Sequence, residues 1–256
     1  MSNYRKLEKS KGILAFASNT DTVDYVSMAD RSLRMAARQL NVDYQVITPE
    51  KHNTWNNYRH DPDTREPAVW NNHSRWQAYN ASPWDQTLVI DADYLVMTDR
   101  LNTVFESSAD YLLCFENNII GNPYTTRSCI DPVWATVFYF QKTSASQALF
   151  EMVHRIEQNY QYYRHLFGVY ERNFRNDYAF SMADLIINGH TRNPSRRLPF
   201  GIVSIDHSVN SLQLVNNKLL VRYDSQCDIL PRQDLHVMSK VWMQSKNSIE
   251  FMESVQ

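Results

Sequence analysis

The sequence has little glycine, little cysteine and no long apolar run, and each shortage argues against a class of protein. Its 256 residues include five glycines, none spaced as GxGxxG or GxxxxGK[ST], so neither a dinucleotide fingerprint nor a P-loop is present. Three scattered cysteines without a CxxC pair argue against a disulfide framework or a zinc knuckle. No apolar stretch approaches the ~18 residues of a membrane span, and residues 13–17 are too few for a signal-peptide core. These patterns predict a soluble, cytoplasmic protein.

The charge balance leaves the partner open. A formal net charge of -2 provides no overall field that would attract a polyanion, so any nucleic-acid contact requires a local basic patch. One compact basic cluster is present, formed by Arg192, Arg196 and Arg197. It fits either a solvated loop or a contact with phosphate groups.

Apolar periodicity predicts an α/β fold. A strand at 12–17, an amphipathic helix at 23–40 and a strand at 44–48 form a β-α-β start, which implies parallel pairing. Thr20, Asp21 or Thr22 are candidate caps of that helix. We expect one domain with a mixed, mostly parallel central sheet flanked by helices. The further predicted strands are 87–90, 111–115, 133–140, 200–206 and 212–222, and the further helices are 75–81, 146–165 and 175–188.

Residues 50–73 lack a clear period and are polar, aromatic and broken by proline, so we expect a long excursion near the ligand rather than a packed element. Aromatic side chains in and just after this segment fit stacking on a base or sugar, and they equally fit core packing. They are Trp55, Tyr58, Trp70 and Trp76.

The segment TLVIDADYLV (87–96) interrupts an apolar strand with two carboxylates. Alternate side chains share a face of a strand, so Asp91 and Asp93 point the same way and repel each other unless a cation lies close. Ligands of open α/β sheets bind beyond the carboxyl ends of the strands, where these residues fall. Asp61-Pro-Asp63 has the same spacing without a preceding strand, and is interpreted as a turn. Asp91 and Asp93 therefore predict a divalent-cation site.

With its β-α-β start and its Asp91-Ala-Asp93 motif, the chain resembles the GT-A fold glycosyltransferases. The resemblance implies one GT-A-like, Rossmann-like domain, with a nucleotide-sugar half at about 11–98 and an acceptor half with the C-terminal tail at about 99–256. It implies Mn²⁺ or Mg²⁺ bridging the diphosphate of a nucleotide sugar, with UDP as the first choice of nucleotide. Asp91 and Asp93 would hold the cation and the ribose.

Two later segments extend the resemblance. WATVFYFQKT (134–143) and RNDYAF (175–180) are similar to the acceptor side of these enzymes, which makes Asp177 the candidate catalytic carboxylate. Asp177 also fits a helix N-cap, and the two roles are compatible. A general base would invert the configuration of the sugar, whereas a group stabilising an oxocarbenium ion would fit retention, and the residues leave both open.

The segment LHVMSKVW (235–242) resembles the tail in which a histidine completes the metal site and a lysine contacts the diphosphate. The resemblance assigns these roles to His236 and Lys240, although neither glycine nor Lys-Pro-Trp follows the histidine here, and a surface histidine is equally compatible. Arg75 fits a contact with the diphosphate or sugar, or a solvated position. By position after the first strand, the base or ribose would meet Ala17, Ser18 and Asn19.

The expected activity is transfer of a hexosyl or pentosyl group to an acceptor hydroxyl. The chain also resembles phage-type glycosyltransferases, which implies a 5-hydroxymethylated pyrimidine in DNA as acceptor and the host cytoplasm as location. A glycan or a lipid-linked sugar is the alternative acceptor. Two other functions stay open: a sugar-phosphate nucleotidyltransferase and a non-catalytic module that binds nucleotide sugar or nucleic acid. The residues leave the oligomeric state open.

Overall fold

The computed structural model describes residues 9–48, 58–60, 67–69, 74–121, 128–224 and 226–255. Its strands are β1 (Lys11–Phe16), β2 (Asp43–Ile47), β3 (Tyr58–His60), β4 (Pro67–Val69), β5 (Gln86–Ile90), β6 (Tyr94–Leu95), β7 (Tyr111–Leu113), β8 (Asn117–Ile120), β9 (Val137–Gln141), β10 (Ile202–Ile205), β11 (Ser211–Val215), β12 (Lys218–Arg222), β13 (Cys227–Pro231) and β14 (Leu235–Val237). Its helices are α1 (Tyr25–Leu40), α2 (Ala78–Ala81), α3 (Asn102–Phe105), α4 (Ser144–Gln158), α5 (Tyr160–Leu166), α6 (Asn176–Ile187), α7 (Lys240–Gln244) and α8 (Lys246–Ser254). Short 3₁₀ turns span Ser74–Gln77 and Pro194–Arg196.

Two mixed sheets organise the chain. The main sheet has the order β2-β1-β5-β9-β7, with parallel pairing among β2, β1 and β5 and with β9 antiparallel to both of its neighbours. The second sheet has the order β6-β14-β10-β8, in which β8, β10 and β14 are parallel. The predicted fold class, an α/β protein with a mixed, parallel-rich sheet flanked by helices, is confirmed. The division into halves near residue 98 stays a prediction.

Both faces of the main sheet are buried, which explains the continuous apolar character of β5. Leu88 and Ile90 belong to one apolar cluster with α1, whereas Val89 belongs to a second cluster with α4 and α6. In the second cluster the rings of Phe138 and Phe180 lie 4.7 Å apart between centroids. Because helices cover both faces of the sheet, a ligand would bind beyond the carboxyl ends of β1 and β5.

Three local predictions differ from the structure. Asp24, rather than Thr20, Asp21 or Thr22, caps α1, its carboxylate accepting a hydrogen bond from the backbone N–H of Ser27 at 3.1 Å. The predicted helix 146–165 is interrupted at Asn159, which ends α4 and precedes α5. The predicted strand 212–222 is a hairpin, because Asn216 and Asn217 adopt positive φ values of 49° and 61° and form a two-residue turn.

Within the segment 50–73 the structure describes two short strands, β3 and β4, which pair as an antiparallel ribbon. That this segment forms a long excursion near the ligand stays a prediction. Trp55, Trp70 and the Asp61-Pro-Asp63 turn lie outside the described residues, as does the side chain of Tyr58. Within the ranges given above, no helix is both long and apolar enough to cross a membrane.

Candidate metal centre

The Asp-Ala-Asp turn after β5 is held by three backbone contacts. The N–H of Asp91 donates to the carbonyl of Thr136 at 2.9 Å, and its own carbonyl accepts from the N–H of Tyr94 at 3.1 Å. The buried hydroxyl of Ser32, on α1, donates to the carbonyl of Ala92 at 2.7 Å. The loop before β9 and helix α1 therefore fix the direction in which both carboxylates point.

The second sheet brings His236 to the same place. His236 lies on β14 directly opposite Tyr94 of β6, and the N–H of Val237 donates to the carbonyl of Asp93 at 2.9 Å. One ligand atom from each of Asp91, Asp93 and His236 lies within 4.8 Å of the other two. His236 thus lies beside two aspartates more than 140 positions earlier in the chain, as the resemblance implies, and its role as a metal ligand stays a prediction.

Arg75 is buried beside the first aspartate. Its guanidinium forms an ion pair with Asp91 and donates to the carbonyl of Ala135, and only 9 % of its side chain is exposed. Burial lowers the pKa of Arg75, which the charges of Asp177 and Asp93 oppose. The solvated position considered for this arginine is therefore wrong, and its role toward a ligand stays a prediction.

Lys240 is the second buried cation. It is the first residue of α7, and its ammonium forms an ion pair with Asp93 and donates to the carbonyl of Met238 at 3.1 Å. Burial alone would raise the pKa of the Asp93 carboxyl, but Lys240 and His236 outweigh this effect and hold the pKa well below its usual range. Asp93 is therefore ionised at neutral pH.

The cluster fits a divalent cation. Opposite ligands of an ion with bonds of about 2.1 Å lie about 4.2 Å apart, so small side-chain shifts would bring the three ligand atoms into coordination. The ammonium of Lys240 already rests against the buried carboxylate of Asp93 as a stand-in cation. Carboxylates suit Mg²⁺ and Mn²⁺, and imidazole suits transition metals, so the mixed set favours Mn²⁺ over Mg²⁺.

Asp177 joins the cluster through a backbone bridge. Its Oδ1 accepts from the N–H of Ala135 at 3.1 Å, and the carbonyl of Ala135 in turn accepts from Arg75. Its Oδ2 lies 3.4 Å from the guanidinium of Arg175. The residue before the helix is Arg175, so Asp177 lies in the first turn of α6 and does not serve as its N-cap. With 23 % of the side chain exposed, this carboxylate is accessible from solvent.

The three residues after β1 differ in their surroundings. Ala17 is buried, and its N–H donates to the carbonyl of Ile47 at 2.9 Å. Asn19 is exposed and accepts from the N–H of Val26 at 2.9 Å, so its amide oxygen serves the start of α1. The hydroxyl of Ser18 is buried and has no hydrogen-bond partner among the residues that the structure describes. Of the three, Ser18 has a polar side chain that still lacks a partner.

The predicted basic cluster is used within the protein. Arg192 forms an ion pair with Asp184 at 3.0 Å, Arg196 donates to the hydroxyl of Tyr111 at 2.6 Å, and Arg197 lies over an aromatic ring. Arg192 and Arg196 are thus engaged within the protein, whereas Arg197 is exposed, and a phosphate contact of this cluster stays a prediction. Trp76 stacks on the ring of His154 at 3.6 Å between centroids, which favours the packing role for this aromatic residue.

Two buried hydroxyls at the site have no signal in the sequence. Ser32 lies among the apolar positions of α1, and Ser204 lies inside the strand IVSI of β10, where its Oγ is 3.0 Å from Nδ1 of His236. Single serines of this kind are ordinary components of helices and strands. Only the pairing of β10 with β14 shows that Ser204 lies next to His236, the candidate metal-binding residue.

Comparison with known proteins gives weak structural likenesses only. No family model matches the chain, and no curated protein matches it. It is similar to a glycosyltransferase involved in glycosylation of the major capsid of PBCV-1, with 14 % identity, 60 % of this chain and 74 % of that chain covered, and a TM-score of 0.35. For the glycosyltransferase GlyE of Streptococcus pneumoniae TIGR4 the identity is 10 %, the coverage is 72 % of this chain and 44 % of that chain, and the TM-score is 0.41.

An inositol-1-phosphate CTP transferase from T. maritima is also similar, with 10 % identity, 96 % of both chains covered and a TM-score of 0.40. The chain thus spans less than half the length of GlyE and nearly all of the CTP transferase. At such low identities and TM-scores these likenesses carry no functional argument.

Proposed function

We propose that this protein is a metal-dependent glycosyltransferase that moves a hexosyl or pentosyl group from a nucleotide-diphosphate sugar, with UDP as the first nucleotide to test, to an acceptor hydroxyl. The observation that carries the proposal is the cluster of partly buried Asp91 with buried Asp93 and His236 at the carboxyl end of β5. Such a cluster suits a hard divalent cation that also binds phosphate oxygens. A diphosphate is the leaving group of sugar transfer from a nucleotide sugar.

Each residue of the cluster has a separate role in this proposal. Asp91, Asp93 and His236 would hold Mn²⁺ or Mg²⁺, and the cation would supply positive charge that stabilises a diphosphate leaving group. Lys240, whose ammonium pairs with Asp93 in the structure, would contact a phosphate oxygen when the donor is bound. Arg75 keeps the Asp91 carboxylate in place.

Asp177 supplies the carboxylate on the reacting side in this proposal. Its Oδ1 is fixed by the N–H of Ala135, Oδ2 lies 3.4 Å from the guanidinium of Arg175, and 23 % of the side chain is exposed. This arrangement supports either removal of a proton from an acceptor hydroxyl or stabilisation of positive charge on the sugar ring. Ser18, whose hydroxyl lacks a partner within the described ranges, is proposed to meet the ribose or base together with Ala17 and Asn19.

For the acceptor we propose a 5-hydroxymethylated pyrimidine in DNA. Arg192 and Arg196 are engaged internally, so the phosphate contacts would come from exposed Arg197 and Arg172 and from Arg175. The target base would have to leave the stack to reach Asp177. A glycan or lipid-linked sugar is the alternative acceptor, and it requires neither the arginine–phosphate contacts nor a base that leaves the stack.

The test incubates the protein with Mn²⁺ and a panel of UDP-, GDP- and CMP-sugars, with and without DNA that contains hydroxymethylcytosine. Nucleotide release is measured first, and the mass of the product is then determined. Nucleoside diphosphate release that rises with the modified DNA, together with a sugar-sized mass gain on the base, would establish both reaction and acceptor. Slow release that ignores DNA would retain sugar transfer and exclude this acceptor. Pyrophosphate release from a nucleoside triphosphate would instead identify a nucleotidyltransferase, and no release would favour a binding module.

A matched pair of variants ties the activity to the cluster. Asp93→Asn should lower the rate by more than the 10- to 100-fold typical of losing an outer-shell partner, because a direct ligand is removed. Asp43→Asn changes an exposed carboxylate at the start of β2, on the opposite edge of the sheet, and should leave the rate unchanged. Equal rates for the two variants would contradict the assignment of the metal site.

A further inference from the structure

Ser204 is in direct contact with the candidate metal ligand His236. The two residues lie opposite each other on the parallel strands β10 and β14, and Ser204 Oγ is 3.0 Å from Nδ1 of the imidazole. Ser204 is fully buried, so water does not compete for this hydrogen bond. On the other side of the ring, Nε2 lies 3.5 Å from Oδ2 of Asp93.

These two contacts determine which nitrogen is available to a metal. A neutral imidazole carries one proton, and the nitrogen that binds a cation must be the one without it. Because Nε2 faces Asp93, the proton has to be on Nδ1 when a cation is bound, and the nearest acceptor for it is Ser204 Oγ. Without a cation the proton can lie on Nε2, which then donates toward Asp93, and the rotating Ser204 hydroxyl donates to Nδ1.

We propose that Ser204 is a positioning residue that orients His236 and accepts its Nδ1 proton in the tautomer able to bind the cation. The proposal rests on the metal site of the proposed function. A carboxylate or a backbone carbonyl, the usual partners of a ligand histidine, only accepts and would favour one tautomer, whereas a hydroxyl serves both. Loss of such an outer-shell partner typically lowers metal affinity by about 10- to 100-fold.

The experiment measures binding of Mn²⁺ alone to the full chain, from the electron paramagnetic resonance signal of free Mn²⁺. We expect Ser204→Ala to weaken binding by about 10- to 100-fold and Ser204→Thr, which keeps the hydroxyl, to restore most of the affinity. The control is Ser146→Ala, another fully buried serine, whose hydroxyl donates to the carbonyl of Asp110 at 2.7 Å. It should bind Mn²⁺ like the wild type.

A double-mutant cycle separates positioning from general damage. In a His236→Ala background, Ser204→Ala should have no further effect on Mn²⁺ affinity, because the residue acts through the imidazole. Wild-type affinity in Ser204→Ala, or an equal loss in both backgrounds, would overturn the proposal. If Ser204→Ala does not fold, ¹⁵N chemical shifts of His236 in the wild type decide, since Mg²⁺ should move the proton to Nδ1 and an unchanged tautomer would contradict the idea.

This test is independent of sugar transfer. Mn²⁺ binding is measured without a donor, so the positioning role can stand even when no donor is turned over. Conversely, nucleotide release can be observed while Ser204→Ala binds Mn²⁺ normally, which would remove the positioning role and leave the proposed function intact.

Discussion

Replacing Lys240 with methionine tests how the charges of the site are balanced. The two aspartates of the turn are already neutralised, Asp91 by Arg75 and Asp93 by Lys240. A divalent cation that enters alone therefore competes with the ammonium and adds net positive charge to a buried cluster. We expect Lys240→Met to bind Mn²⁺ alone more tightly than the wild type, although it removes a residue of the proposed active site.

The expected magnitude follows from the ion pair. Unit charges about 4 Å apart in a partly screened site attract by about 4 kcal/mol. The flexible stem of Lys240 lets its ammonium move away from an entering cation, so this energy is the upper limit of the gain. About 4 kcal/mol corresponds to at most about 1,000-fold tighter binding in the variant. Isothermal titration with Mn²⁺ in the absence of nucleotide measures this difference.

Two controls accompany the measurement. Lys240→Arg keeps the charge and should bind Mn²⁺ like the wild type, and Lys246→Met removes an ammonium that is 88 % exposed on α8 and should change nothing. With a nucleoside diphosphate present the advantage of Lys240→Met should shrink, because the ammonium then stabilises phosphate instead of opposing the cation. Unchanged or weaker binding of Mn²⁺ alone in Lys240→Met would refute the charge-balance argument.

Two further predictions concern stability. Arg75→Met should lower the free energy of unfolding, measured by urea denaturation, by about 3–5 kcal/mol, because it leaves the Asp91 carboxylate without its partner. Adding Asp91→Asn should restore part of the lost stability, and additive losses in the double variant would contradict the pairing. Burial raises the pKa of Tyr111 and of Tyr139 to about 12, above the ordinary 10.0, so the folded state keeps protons that the unfolded state releases. The free energy of unfolding should therefore fall as pH rises from about 10 to about 12, and the phenolate absorbance of these two tyrosines should appear only with unfolding. Ionisation of all tyrosines in the folded protein near pH 10 would exclude the raised pKa values.

The elements of the fold differ in how far the sequence predicted them. The β-α-β start and β5 were predictable because a buried parallel strand needs a continuous apolar run and α1 has one apolar face. The hairpin at Asn216 and Asn217 was missed because an Asn-Asn turn between apolar residues resembles an uninterrupted strand until its backbone angles are known. The break at Asn159 was missed for a similar reason, since the apolar period continues from α4 into α5.

The candidate site shows the same contrast. Asp91 and Asp93 were predictable because two carboxylates one residue apart interrupt an apolar strand at the edge where ligands bind. Arg75 carried no signal of burial, since an arginine on a short polar turn is usually solvated. Its position became clear only when the loop before β9 placed the Ala135 carbonyl beside it.

The sequence by itself therefore determined the fold class and the position of the paired aspartates, because both depend on local periodicity and strand direction. Tertiary structure decides which distant side chains reach them, and beforehand only the resemblance to a known fold indicated His236 and Lys240. His236 meets the aspartates because β14 pairs with β6, Ser204 meets His236 because β10 lies beside β14, and Lys240 follows at the start of α7. Strand pairing between residues far apart in the chain depends on packing of the whole core, and no local pattern encodes it.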